Sequence, residues 1–324
     1  MPISDLKKID NRPIAPKSGE VLCFVAVRNE AIRLPYFLEY YRALGVHRFF
    51  FVDNGSNDGT ADHLLAQSDC HCFLTTGAYF RENVQPPGWT NALSNTFGHG
   101  NWCVTVDADE LLVYPDCEVV KLSQFCAFLD LEGDEALFCP MIDMYSDGPI
   151  VDVSYRRGQP FQDACPWLDP EPGWVWNRDD AFPPLQMFGG VRQRVFWTGP
   201  IKRQTPPCIS KVPLVKWTRG MSYRHSMHLH SGAKLSTLWG GLLHFKFMSG
   251  FDSSSKEHID TNAGFSEKSL EERAIYLLAL QNNPKLCLKN TESVQLLNTN
   301  HLLELKWIKS NPSYDNWRSA LKTV

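Results

Sequence analysis

Three short apolar runs, each closed by a cluster of charged and amide side chains, limit what this chain can build more than any other feature. Residues 21–27 read V-L-C-F-V-A-V and stop at Arg28-Asn29-Glu30. Residues 48–52 stop at Asp53-Asn54-Gly55, and residues 102–106 stop at Asp107-Ala108-Asp109-Glu110. Runs this short and this continuously apolar suit strands buried on both faces, as in parallel sheets covered by helices. Helical spacing lies between them. Leu34, Phe37, Leu38, Tyr41 and Leu44 mark a helix over 33–44, with Gly45 where a C-terminal cap belongs. Residues 60–67 and 90–97 read as further helices and 71–75 as a further strand. The alternation predicts an α/β fold with a mostly parallel central sheet flanked by helices and ligands outside the carboxyl ends of its strands. The three polar clusters should then line one crevice.

Past Tyr114 the periodicity loosens. Residues 137–144 read as one more strand, whereas 148–207 are rich in Pro, Gly, Trp and Arg, as expected of a binding surface. Four tryptophans lie between Trp167 and Trp197, suited equally to core packing and to covering sugar rings. Residues 266–279, 296–310 and 314–321 form a helical tail. The expected organisation is a flexible arm over 1–20, a Rossmann-like nucleotide-sugar half over 21–145, a less regular acceptor- and phosphate-binding half over 146–262, and a helical extension over 263–324.

Composition removes several classes. A net charge of −4 gives no basic footprint for nucleic acid. Ten scattered cysteines without a C-x-x-C read as reduced core thiols of a cytoplasmic protein. The first twenty residues lack the apolar run of a signal or anchor, and no stretch reaches membrane-span length. No G-x-G-x-x-G or G-x-x-x-x-G-K-[ST] loop follows the first strand, so dinucleotide binding and ordinary nucleotide hydrolysis are unsupported.

Asp107 and Asp109 carry the sharpest chemistry. At i and i+2 of an extended chain they share a face, and two converging carboxylates are reconciled by a hard cation, Mn2+ or Mg2+, completed by phosphate oxygens. The bland reading is a solvated acidic turn. From Ala181 to Phe251 the chain holds no Asp or Glu, although its average of 36 in 324 would place about eight there. Arg192, Lys211 and Lys216 in this cationic block are candidate phosphate ligands, since clefts of one sign concentrate opposite charge. The competing readings are a basic face resting on an acidic one elsewhere, and peripheral contact with anionic lipid at the inner face of a membrane.

Together Arg28-Asn29-Glu30, Leu34-Pro35 through Leu44-Gly45, Asp53 to Thr60 and Asp107 to Glu110 resemble the family-two-like glycosyltransferases of GT-A fold, in the bacterial branch with R-N-E, D-N-G-S-x-D-G-T and D-x-D-E motifs. Weaker similarity continues in residues 189–194, 211–216 and 242–247. The resemblance implies a metal-dependent enzyme, inverting by expectation with a retaining route or a histidine base as alternatives, that moves a sugar from a nucleotide-sugar donor, UDP-sugar favoured, to a glycan or glycolipid hydroxyl. It implies nucleotide contacts from Arg28, Asn29, Glu30, Asp53, Asn54 and Gly55, and metal ligation by Asp107 and Asp109. A histidine from the second half joins the metal in many such enzymes; His244 is the choice and His228 its rival. Zinc at His225, His228 and His230 lacks a completing carboxylate or cysteine. For the catalytic base the chain offers Asp143, Asp179 or Asp180. Two departures stand out: Arg28 replaces a common tyrosine, and no E-D pair follows Gly189-Gly190. The alternatives are a non-catalytic carbohydrate-binding protein and a sugar-1-phosphate nucleotidyltransferase, which would want a glycine-rich loop after the first strand.

Overall fold

The computed structural model describes residues 6–77, 88–177, 182–197, 207–224, 226–248, 250–251, 255–256 and 267–321. In chain order the strands are β1 (Lys7–Lys8), β2 (Val21–Val27), β3 (Arg48–Asp53), β4 (Cys70–Leu74), β5 (Trp102–Thr105), β6 (Glu110–Val113), β7 (Ala136–Asp143) and β8 (Trp167–Leu168). There follow β9 (Trp174–Asn177), β10 (Leu185–Phe188), β11 (Ser210–Lys216), β12 (Tyr223–Arg224), β13 (Leu229–His230), β14 (Leu235–Trp239), β15 (Gly241–His244) and β16 (Val294–Gln295). Helices α1 (Leu34–Leu44), α2 (Thr60–Leu65), α3 (Gly88–Phe97), α4 (Leu122–Leu131), α5 (Phe161–Ala164) and α6 (Gly190–Phe196) lie between them. Three more helices, Glu267–Asn282, Thr299–Glu304 and Pro312–Leu321, form the C-terminal region.

The central sheet runs β1-β4-β3-β2-β5-β11-β7-β15-β6, with β14 also on β7. The pairings of β2 with β3 and β5, and of β3 with β4, are parallel, as the alternating pattern predicts. In the other half β14 and β15 run parallel to β7, and antiparallel strands join them. β11 lies antiparallel between β5 and β7, and β6 lies antiparallel to β15, so the sheet is mixed. β11 was hidden in the sequence by Pro213 and by lysines near both ends. Proline lacks the N–H a central strand needs, and the register against β7 shifts between Lys211 and Leu214 to accommodate it.

Apolar side chains pack on both faces of the sheet. Leu34, Phe37, Leu38 and Tyr41 of α1 bury one stripe against Phe49 and Phe51, and Gly45 closes the helix at φ 110°, a conformation that costs an L residue a Cβ clash. On the other face Phe24 and Phe50 stack at 4.8 Å beneath α3. A third cluster around Phe196, Phe247 and Tyr276 docks Glu267–Asn282. All ten cysteines are free, and seven are buried. Among the described residues no helix is long and apolar enough to cross a membrane.

Candidate functional site

The loops after β2 and β3 lock each other. Asn29 adopts φ 57°, which asparagine tolerates better than most residues, and turns the chain out of β2. Its N–H donates to Ser56 Oγ at 2.9 Å, and its side-chain oxygen accepts from Asn57 N–H at 2.9 Å. Glu30 N–H donates to Thr60 Oγ1 and Ala31 N–H to Asp58 Oδ2. Much of the D-N-G-S-x-D-G-T motif is therefore scaffolding for R-N-E. Asn54 donates to the carbonyls of Thr75 and Gly77, Arg28 donates to the Asn54 carbonyl, and Gly55 takes φ 72°.

Asp53 ends β3 and is 2% exposed. Its Oδ1 accepts from the Ser56 N–H at 2.9 Å and hydroxyl at 2.7 Å, while its buried Oδ2 has no hydrogen-bond partner. A buried unpaired acceptor of this kind costs about 1–3 kcal/mol, so its retention calls for an explanation. Two strands away, beyond β2, the Asp107–Glu110 turn leaves β5 at the same carboxyl edge, so Asp53 and Asp109 do fall on one side of the sheet.

That turn departs from the sequence reading. The strand stops at Thr105, and Glu110 N–H closes onto the Asp107 carbonyl at 3.1 Å, so Asp107 and Asp109 lie in a turn rather than on one strand face. Lys211 Nζ, 2% exposed, donates to Asp107 Oδ2 at 2.8 Å and to Glu110 Oε1 at 2.5 Å. Glu110 is wholly buried; burial raises its carboxyl above the ordinary range, against the pull of Lys211.

Asp109 points elsewhere. Its Oδ2 lies 3.6 Å from His244 Nε2, while His244 Nδ1 lies 2.6 Å from Asp143 Oδ1. β15 is parallel to β7 and pairs His244 with Asp143, which builds this alignment into the sheet register. Asp143 Oδ2 in turn accepts from Arg192 Nε of α6 at 2.8 Å. Burial raises the Asp143 carboxyl, yet Arg192 and His244 outweigh it and hold it down at about 2. An ionised carboxylate only accepts, so Nδ1 carries the proton toward Asp143. With the ring protonated, Nε2–H faces the Asp109 carboxylate at 3.6 Å as a cation; with the ring neutral, Nε2 offers a lone pair there and a metal ion could take the place of that proton. Asp109, Glu110 and His244 present ligand atoms within 4.8 Å of one another, a set capable of holding a divalent ion. The carboxylate suits Mn2+ or Mg2+ and the imidazole a transition ion, and the carboxylate behind the histidine is the usual support of such a ligand.

Cations crowd this cluster. Burial raises Asp109, but His244, Arg33, Lys246 and Lys211 more than offset it and keep the carboxyl low. Glu30, bonded to Arg33 at 2.7 Å, is pushed up by burial and by Asp109. His228 is near too: its Nδ1 donates to the Ser210 carbonyl at 2.7 Å, and burial, with Lys211 beside it, lowers it to about 3.

The structure thus gathers Arg28, Asn29, Glu30, Asp53, Asn54, Gly55, Asp107, Asp109, Asp143, Arg192, Lys211 and His244 along one edge. Lys216 is not among them: it pairs with Trp102 at the opposite end of β5 and bonds Asp130 at 2.6 Å. Asp179, Asp180 and His225 lie outside the described residues. The acid-free block supplies counter-ions to carboxylates elsewhere, Arg192 to Asp143, Arg194 to Asp169, Lys211 to Asp107 and Glu110, and Lys234 to Asp134. Sequence reasoning overlooked Glu110 as a potential ligand and Arg33 and Lys246 as neighbours; Lys211, next to the apolar residues of β11, was the available signal for a buried carboxylate partner.

No protein-family model matches the chain, and no curated protein matches it. Solved structures similar to it include a UDP-glucose pyrophosphorylase from Acinetobacter baumanii, at 9% identity and TM-score 0.29 over 82% of this chain and 84% of that one. A UDP-glucose pyrophosphorylase complexed with UDP-glucose matches at 8% identity and TM-score 0.26 over 93% and 99%, and an apo form at 10% and 0.24 over the same shares. At such identities and TM-scores the likeness carries no inference about chemistry.

Proposed function

We propose that this chain is a metal-dependent enzyme that moves a sugar from a nucleotide-sugar donor, UDP-sugar favoured, to a hydroxyl acceptor. The observation that carries the reading is the Asp143–His244–Asp109 line, which aims an imidazole lone pair and a carboxylate at one point on the carboxyl edge of the sheet. Mn2+ or Mg2+ held there by Asp109 and His244 would offset charge on a departing diphosphate. The unpaired Asp53 Oδ2 supports a nucleotide on the same edge, since a buried acceptor is completed by an imide N–H such as that of uracil. Lys211 keeps Glu110 and Asp107 in place. Asp143, ion-paired and strongly acidic, makes a poor proton acceptor; its role in this reading is to position His244 rather than to deprotonate the acceptor.

Nucleotidyl transfer is the competing reaction, and products separate the two. The protein is incubated with Mn2+ and UDP-glucose, UDP-galactose or UDP-N-acetylglucosamine, with and without pyrophosphate. Glycosyl transfer predicts slow Mn2+-dependent release of UDP as water replaces the acceptor. Formation of UTP only when pyrophosphate is added would assign the nucleotidyl reaction. If neither product forms and no nucleoside diphosphate with Mn2+ raises the Tm, the reading fails.

A further inference from the structure

A concavity lies apart from the Asp109–His244 cluster. Between the 169–174 loop, the start of α6 and the 290–292 turn opens a cavity of about 520 Å3, within the roughly 300–1,000 Å3 usual for small-molecule sites. Trp174 forms one wall, 48% exposed, with one indole face stacked on Phe188 at 4.9 Å between centroids. Bare backbone also lines it, by necessity. A Cβ on Gly173 would sit 1.8 Å from the Phe188 carbonyl oxygen, and one on Gly189 would sit 2.9 Å from the Gly173 Cα.

The polar lining has a definite sign. Asp169, Glu171 and Glu292 face a single cation, Arg194. Arg194 is already engaged, donating to Asp169 at 2.7 and 3.1 Å and to the Leu288 carbonyl at 2.7 Å, and Tyr145 fixes Asp169 further at 2.6 Å. Asn290 accepts through Oδ1 from the backbone of Glu292 and Ser293, which leaves its amide N–H2 as a donor. An excess of carboxylates repels a diphosphate. An uncharged ring with C–H bonds on one face and hydroxyls around its rim fits: the face packs on indole, and the hydroxyls donate to carboxylates.

The geometry points to this cavity as the acceptor subsite, taking a neutral saccharide on Trp174 with hydroxyl contacts to Glu171, Glu292 and Asn290. The inference rests on the nucleotide-sugar reading above for its catalytic meaning. Helix α6 stands between the two places: Gly190 and Arg194 line the cavity, while Arg192, on the opposite face of the helix, holds Asp143 behind His244.

The test is saturation-transfer NMR on the full chain with cellobiose, lactose, maltose and chitobiose at about 10 mM, a range suited to the millimolar affinities of single stacked sugars. UDP with Mn2+ is titrated in parallel. The expected result is binding of at least one disaccharide, weakened roughly tenfold by Trp174→Ala and by Glu171→Gln, with UDP affinity and Tm unchanged in both variants. Equal saccharide binding in the two variants and the wild type would overturn the assignment, as would no disaccharide binding while UDP with Mn2+ binds. Failure of UDP and Mn2+ to bind, with saccharide binding intact and Trp174-dependent, would instead sink the donor reading and leave the cavity as a carbohydrate site.

Discussion

Replacing Lys211 with methionine separates an internal counter-ion from a phosphate ligand. The lysine is 2% exposed, and it contacts Glu110, which is 0% exposed, and Asp107. Removing one partner of a buried ion pair costs about 3–5 kcal/mol, because the remaining charge is left without compensation. At roughly 1.5 °C of Tm per kcal/mol for a chain of 324 residues, the variant should unfold about 4–8 °C lower at pH 7. The deficit has a pH signature. Without Lys211 the buried Glu110 carboxyl titrates well above its unfolded value, so the folded state holds the extra proton and stability falls as pH rises between the two values. The Tm gap should therefore shrink from pH 7 to pH 5, and Lys211→Met with Glu110→Gln should recover most of it. Thermal unfolding followed by circular dichroism reads all three. A variant with wild-type Tm but weakened UDP binding would refute the reasoning and return Lys211 to the phosphate role its sequence context suggests.

Other consequences are smaller in scope. The Tyr41 hydroxyl donates to the Glu110 carbonyl at 3.0 Å and accepts from Leu112 N–H at 3.0 Å, so Tyr41→Phe orphans two buried backbone groups and should cost about 1–3 kcal/mol in urea unfolding; a change within error would show that water substitutes there. Asp10 accepts from Lys8, Cys72 N–H and Arg12 N–H; burial raises its carboxyl, but these contacts bring it down to about 2. Its stabilisation is present above the unfolded value near 4 and is lost as pH falls toward 2, so the Tm curves of wild type and Asp10→Asn should differ at pH 7 and converge near pH 2. Parallel curves would contradict that. Asp143→Asn should weaken Mn2+ binding about 10–100-fold without abolishing it, the usual effect of removing the carboxylate behind a ligating histidine; an unchanged Mn2+ affinity in calorimetry would remove Asp143 from the site.

The first half of the molecule was legible because its signals are local. Residues 21–27 form β2 with the expected bounds, and Gly45 caps α1 in the left-handed region. Apolar continuity and glycine stereochemistry act within a few residues, so one sequence suffices to read them. β11 was illegible because its burial is imposed from outside: Lys211 is tolerated inside the sheet only because Asp107 and Glu110 meet it from another strand end. The same holds for the acid-free block, whose partners are supplied by distant segments. The turn at Asp107 is a further case, since alternation cannot tell the last residue of a strand from the first of a tight turn. In the tail, the expected helix over 296–310 shrinks to Thr299–Glu304, started by the Asn298 side chain on His301 N–H and followed by Lys306 at φ 62°.

Calorimetric titration of Mn2+ into the protein with UDP present, repeated for Asp109→Asn and His244→Ala, tests the central claim most directly. The account predicts Mn2+-dependent UDP binding in the wild type and its loss in both variants with Tm retained. Wild-type affinity in both would contradict it.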